Sequence, residues 1–286
     1  MIHWPESLVN DIARRRAIIM VGSGVSRHST GDGEQKPSTW RGFLGEGLAL
    51  CNPKPRHIST AIKNGRYLDA CEWLKRTMDE KWVTHLKKSF VTPKFKPAEI
   101  HSLIYKLDSR IVLTPNFDKI YENYAANESQ GTIVVKKQTD TDISECMRRG
   151  DRLILKAHGS IDDPNNLIFT RKEYAKAREQ YGAFYRLMDA LFMTHTVLML
   201  GVGLDDPDFQ LLFENQAAVI RSGLPHYMTT ADKLSADETT TLRETRNIKV
   251  LSYSPKANHI ELVKSLSTLV SKVEAERDRL IVSRDW

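Results

Sequence analysis

The stretch AIIMVGSGVSRHS, residues 17–29, is a short apolar run that stops abruptly at Gly22-Ser23-Gly24. Five consecutive apolar residues bounded by glycine read as a strand covered on both faces. A core strand does not need two glycines at its end, and neither does the start of a helix. Glycine at both positions means that something approaches the backbone too closely for a side chain. One reading is a diphosphate held by backbone N–H groups at a helix N-terminus. The other is a tight strand-to-helix turn with no ligand. The stretch is neither GxGxxG nor GxxxxGK[ST], which weighs against ordinary dehydrogenases and P-loop enzymes.

Similar apolar runs recur along the chain: RIVLT (110–114), TIVV (132–135), RLILKA (152–157), TVLMLG (196–201), PHYMTT (225–230) and IKVLSY (248–253). Helical patterns separate them. This alternation predicts an α/β fold, a Rossmann-like doubly wound parallel sheet. The interval between the first two runs is too long for one crossover. WRGFLGEGLALC, AIKNGRYLDACEWLKRTM, DEKWVTHLKKSF and PAEIHSLIYKL carry apolar residues at helical spacing, with Leu68, Trp73, Leu74 and Met78 on one face. PKFKP (93–97) separates the last two. Residues 40–108 are therefore expected to form an inserted helical module within a single domain spanning 1–286. Residues 258–286 are expected to form a C-terminal helix and tail, its charged second half solvated.

The bulk properties suit this picture. The 286 residues are 41% hydrophobic and 27% charged, as in an ordinary globular protein. No apolar stretch approaches the roughly 20 residues of a membrane span. MIHWPESLVNDIARRR lacks the residue order of a signal peptide. Cys51, Cys71 and Cys146 are too few for a zinc ribbon or a disulfide framework, which predicts a cytoplasmic setting and no metal. The net charge of +6 and pI of about 9.1 come from basic residues interleaved with carboxylates, so direct nucleic-acid binding is not indicated.

In a parallel α/β sheet, ligands lie beyond the carboxyl ends of the strands. The second run is followed by Thr114-Pro115-Asn116-Phe117-Asp118, with an amide and a carboxylate in one turn, or simply a helix cap at Asn116. The fourth is followed by His158-Gly159-Ser160, the glycine keeping the surroundings of the histidine open. Gly201-Val202-Gly203-Leu204-Asp205-Asp206 follows the fifth. Together with Gly22 to Ser26, these endings converge on one crevice.

GSGVS, TPNFD, KAHGS and LGVGLDDPDF, in this order, resemble the sirtuin-like NAD-binding domains of prokaryotic anti-phage defence, with IFTRKEY (168–174) following as in that branch. The resemblance implies that NAD⁺ lies across the strand ends as substrate. It implies that Gly22, Ser23, Gly24 and Ser26 line the diphosphate, with Thr114 and Gly159 also in the binding site. Asn116 would orient the nicotinamide ribose and the attacking water, Asp118 would lie near the nicotinamide, and His158 would be the general base. Gly201, Gly203 and Asp206 would sit beside the adenosine half.

The chain also departs from sirtuin deacylases. The paired CxxC zinc motifs are missing, Pro115 stands where deacylases carry Gln, and TGDGEQKPSTW replaces the usual GIPDFR-like stretch. With these departures, the resemblance implies an NAD⁺ glycohydrolase acting in abortive infection, with no metal. By resemblance, its partners would be further copies of itself and a HerA-type ATPase or, less favoured, an Argonaute-like protein. The alternatives are a non-catalytic NAD or ADP-ribose sensing module, and a protein-directed deacylase or ADP-ribosyltransferase.

Overall fold

The apolar run at residues 17–21 lies at the centre of the molecule. A computed structural model describes residues 1–203, 206–219 and 223–284. In it β1 (Ala17–Val21) is buried along its whole length. The chain enters it from α1 (Glu6–Ala13) and leaves through the single turn α2 (Ser23–Ser26). Five helices follow: α3 (Trp40–Ala49), α4 (Arg56–Lys63), α5 (Tyr67–Met78), α6 (Lys81–Phe90) and α7 (Glu99–Lys106). Next come β2 (Ile111–Thr114), α8 (Ile120–Glu128), β3 (Val134–Lys137), α9 (Ile143–Arg149) and β4 (Leu153–Lys156). Two helices, α10 (Arg171–Gln180) and α11 (Gly182–Thr194), precede β5 (Thr196–Leu200). The chain finishes through α12 (Pro207–Val219), β6 (His226–Thr230), α13 (Ala236–Arg246), β7 (Ile248–Ser252) and α14 (Lys256–Ser283).

All seven strands pair in parallel, in the order β3-β4-β2-β1-β5-β6-β7. Alternate residues of each strand feed opposite faces. Ile19, Val21, Val112 and Ile154 pack under α1, α7 and α14 through Leu8, Ile104 and Leu266. Ile18, Met20, Leu113 and Leu155 pack under α11 and α12 through Met188, Phe192 and Phe213. This is the doubly wound, Rossmann-like α/β arrangement expected from the run of apolar segments.

The structure corrects three local expectations. The segment 61–78 is two helices, because Gly65 turns the chain at φ +72° between α4 and α5. β3 lies two residues later than TIVV; it is an edge strand, so its register against β4 sets its extent. The charged half of α14 is not a solvated end. Val273 and Leu280 are buried there, and the Arg277 guanidinium donates to the carbonyls of Ile12 (3.3 Å) and Leu107 (2.8 Å). Asp285 and Trp286 lie outside the described residues.

The helices α3 to α6 have their own core of Phe43, Leu44, Leu74, Trp82 and Leu86, which also takes in Phe117, Leu167 and Phe169 from the loops after β2 and β4, whereas α7 belongs to the core of the sheet. Trp73 packs on this core, Met78 belongs to it, and Leu68 faces Tyr174 and Ala177 of α10 instead. The module thus grips the carboxyl end of the sheet.

Candidate active site

The chain leaves β1 toward β2 and leaves β5 toward β6, so the connections diverge between these two neighbouring central strands. A crevice at such a switch point is where open α/β sheets bind ligands. Here the two loops touch. Gly22 N donates to Leu200 O and Gly24 N to Gly201 O, both at 2.9 Å. A Cβ on Gly22 would lie 2.3 Å from Gly201 O, and one on Gly24 would lie 2.7 Å from Gly201 Cα. Gly201 itself has φ +60°. The immediate reason for these glycines is therefore backbone-on-backbone packing of the β1 and β5 loops, not the approach of a diphosphate alone. Ser23 is exposed, and a Cβ on Gly203 would meet open space. Leu204 and Asp205 lie outside the described residues.

The turn after β2 is held by side chains. Thr114 Oγ1 donates to Val21 O (2.7 Å) and accepts from Asn116 N (3.1 Å), which ties the ends of β1 and β2 together. Asn116 Nδ2 donates to Ser26 Oγ (3.0 Å), and Ser26 Oγ donates to Asp118 Oδ2 (2.8 Å). Asp118 Oδ1 accepts from Ile120 N at 3.0 Å, so Asp118, rather than Asn116, satisfies the start of α8. This leaves the Asn116 amide turned toward the α2 side of the crevice. The space among Val21, Ser26, Thr114, Asn116, Asp118 and Lys156 is about 10 Å³, room for about one water molecule.

Lys156, at the end of β4, was missed in the sequence and is fully buried. Its Nζ donates to Asp118 O and Glu122 Oε2, each at 2.6 Å. The available signal was a lysine closing an otherwise apolar strand, since charges are rarely buried without a partner.

His158, two residues further on, belongs to a second cluster. It is 3% exposed, and its Nε2 lies 2.7 Å from Asp206 Oδ2. Tyr174 OH donates to the same oxygen (2.8 Å) and lies 3.4 Å from His158 Nε2. The other carboxylate oxygen, Asp206 Oδ1, caps α12 by accepting from Asp208 N (3.0 Å) and Phe209 N (3.2 Å). Asp206 therefore faces His158. Burial pushes the His158 pKa down, but the Asp206 carboxylate outweighs it, and the net direction is upward. Asp206 is held below the usual carboxylate range: burial opposes ionisation, and His158 and Tyr174 overcome it. Tyr174, also missed, lies within the IFTRKEY stretch.

The glycine after the histidine does not keep its surroundings open. Gly159 has φ +88°, and a Cβ there would lie 2.8 Å from Asn166 O. No hydrogen bond joins Asn116 to His158; β4 links their clusters, through Lys156 on one side and His158 on the other. Among the described residues, no group of three or more His, Cys, Asp or Glu is disposed to hold a metal ion. None of the described helices is long and apolar enough to cross a membrane.

Comparison with known proteins bears on this crevice. A family profile described as SIR2-like domain matches residues 110–251, from β2 to β7. The NAD(+) hydrolase ThsA of Enterococcus faecium is 28% identical over 132 residues, covering 46% of this chain and 27% of that protein. ThsA of Acinetobacter baumannii is 26% identical over 117 residues, covering 41% and 24%. Defense-associated sirtuin 2 of Bacillus subtilis is 19% identical over 283 residues, covering 94% of this chain and 26% of that protein. The matches span about a quarter of each relative's length. Residues 110–251, which include six of the seven parallel strands, are thus similar to the SIR2-like domain.

Proposed function

We propose that the chain is an NAD⁺ glycohydrolase of anti-phage defence, cleaving NAD⁺ to ADP-ribose and nicotinamide. What supports this reading is the Asn116 turn, hydrogen-bonded to Ser26 and Asp118 at the strand ends, in a chain similar to proteins named NAD(+) hydrolase. In the reaction, a water oxygen bonds to the anomeric carbon of the nicotinamide ribose. The bond from that carbon to the ring nitrogen breaks, and its electron pair neutralises the pyridinium. The proton lost by water passes to His158 and then to solvent. Asn116 positions ribose and water, which is an orientation effect. His158 supplies general-base catalysis. Gly22, Ser23, Gly24 and Ser26 line the diphosphate side.

Further copies of the chain and a separately encoded HerA-type ATPase are the proposed partners, within the cytoplasm. The test is release of nicotinamide and ADP-ribose from NAD⁺ by the purified chain, with and without the ATPase, beside Asn116→Ala and His158→Ala. Release that both substitutions abolish, with circular dichroism unchanged, supports the reading. NAD⁺ binding without release under every condition overturns it in favour of the sensing module, and labelled ADP-ribose on protein points to a transferase.

A further inference from the structure

Three observations about His158 go beyond its role as a base. Its Nε2 is engaged by Asp206 Oδ2 at 2.7 Å. Its Nδ1 is buried and has no hydrogen-bond partner. Tyr174 OH donates to the same Asp206 oxygen at 2.8 Å. A carboxylate accepts only, so the nitrogen facing it carries a proton in either charge state of the ring. We propose that Asp206, steadied by Tyr174, fixes His158 as the Nε2–H tautomer and leaves Nδ1 as its proton-accepting atom.

This inference rests on the hydrolase reading and deepens it. Buried polar atoms are seldom left unsatisfied, and an orphan on a ring just past a strand end is aptly explained by the group it will meet. Nδ1 takes the proton of the attacking water; Nε2 keeps its own, and the resulting imidazolium is stabilised by Asp206. Asp206 and Tyr174 are positioning residues that act through the ring.

The surroundings are well defined. Besides Asp206, the ring faces Tyr174 at 5.1 Å and Phe209 at 5.7 Å between ring centroids. The next carboxylate, Asp208, also raises the His158 pKa, but it is bound by Arg178 Nε (2.6 Å) and Tyr185 OH (2.5 Å). With Asp208 so engaged, Asp206 is the carboxylate left to set the charge and tautomer of His158.

The experiment is a pH titration of the full chain labelled with ¹⁵N-histidine, with the His158 signal assigned by its loss in His158→Gln. NAD⁺ hydrolysis is followed across the same pH range. The wild type is expected to show the Nε2–H tautomer above its midpoint. Asp206→Asn is expected to move that midpoint down, because burial then loses its strongest opponent and only Asp208 and the Ala157 backbone still favour the charged ring. It should also move the acidic limb of kcat/KM the same way and lower kcat at pH 7 about tenfold or more with KM little changed. Tyr174→Phe keeps the ring packing but frees the Asp206 oxygen for the imidazolium, so the midpoint should move up. A purely structural role does not produce two opposite shifts. An Nδ1–H tautomer, or an Asp206→Asn protein with unchanged midpoint and limb, overturns the proposal. If no protein hydrolyses NAD⁺ but the tautomer and both shifts are present, the Asp206–His158 assignment is supported and the hydrolase reading is what fails.

Discussion

Phe117 stacks on Phe169 with ring centroids 4.0 Å apart and planes inclined by 28°. Phe117 lies between Asn116 and Asp118, while Phe169 lies in the loop leading to α10 and Tyr174. Phe169 meets Trp82 at 5.6 Å and Phe43 at 5.8 Å, and Phe90 meets Phe117 at 6.1 Å. The same loop is tied by Glu173, which accepts from Phe169 N (2.8 Å) and pairs with Lys75 of α5. The helical module therefore clamps the turn that carries Asn116 and the helix that carries Tyr174.

Phe169→Ala removes the ring shared by both loops and the module. Phe169 is 1% exposed, so the expected loss is about 3–5 kcal/mol, as for other buried aromatics. Urea unfolding measures it; a loss below about 1 kcal/mol would mean that the stack is loosely packed.

Gly22→Ala and Gly203→Ala are expected to behave oppositely. The first sets a methyl group 2.3 Å from a backbone oxygen, so the β1 and β5 loops must separate and the thermal midpoint should fall sharply. The second meets open space and should stay within about 0.5 kcal/mol of the parent. Equal midpoints for the two variants would rule out the loop contact.

Lys156→Met leaves Glu122 buried without its partner and should cost about 3–5 kcal/mol. Adding Glu122→Leu removes the stranded carboxylate and should recover most of that loss. Chemical denaturation of the single and double variants measures the coupling; simple additivity would show that the pair does not act as a unit.

His226 predicts an acid-side loss of stability. Its Nδ1 accepts from Val197 N at 3.0 Å, and its Nε2 lies 2.5 Å from Gln216 Oε1, so the folded ring is neutral. Burial lowers its pKa from 6.5 to about 4. The unfolded chain therefore binds the proton first: the contribution is complete above pH 6.5 and is lost as pH falls toward 4. At most this is worth about 3 kcal/mol. Burial lowers His28 in the same window, so His226→Gln is the variant that isolates this share. Unfolding free energies at pH 7 and pH 5 should differ less in the variant; an unchanged difference would assign the effect to other histidines.

β1, β2, β4 and β5 were legible because each is a nearly continuous apolar run closed by glycine, proline or a polar residue, as in AIIMV and TVLML. The edge strand was misjudged by two residues, since one neighbour decides its register and little burial marks it. Asn116, Ser26 and His158 were recognised as residues at strand ends. Their partners were less visible: Tyr174 stands 16 residues from His158 and Asp206 stands 48. The partner of Lys156, Glu122, stands 34 residues before it in the chain.

Local chemistry along the chain thus determined the elements, their parallel class and the crevice where ligand groups gather. Hydrophobic periodicity and glycine placement act over a few residues, and a sequence displays that range directly. Only the tertiary structure decided what each polar group faces. It showed Asp206 as the partner of His158, and Gly22 and Gly24 packed on Gly201. Strand order and loop packing bring distant residues within 3 Å, and at that range the nearest neighbour sets tautomer, charge and clearance.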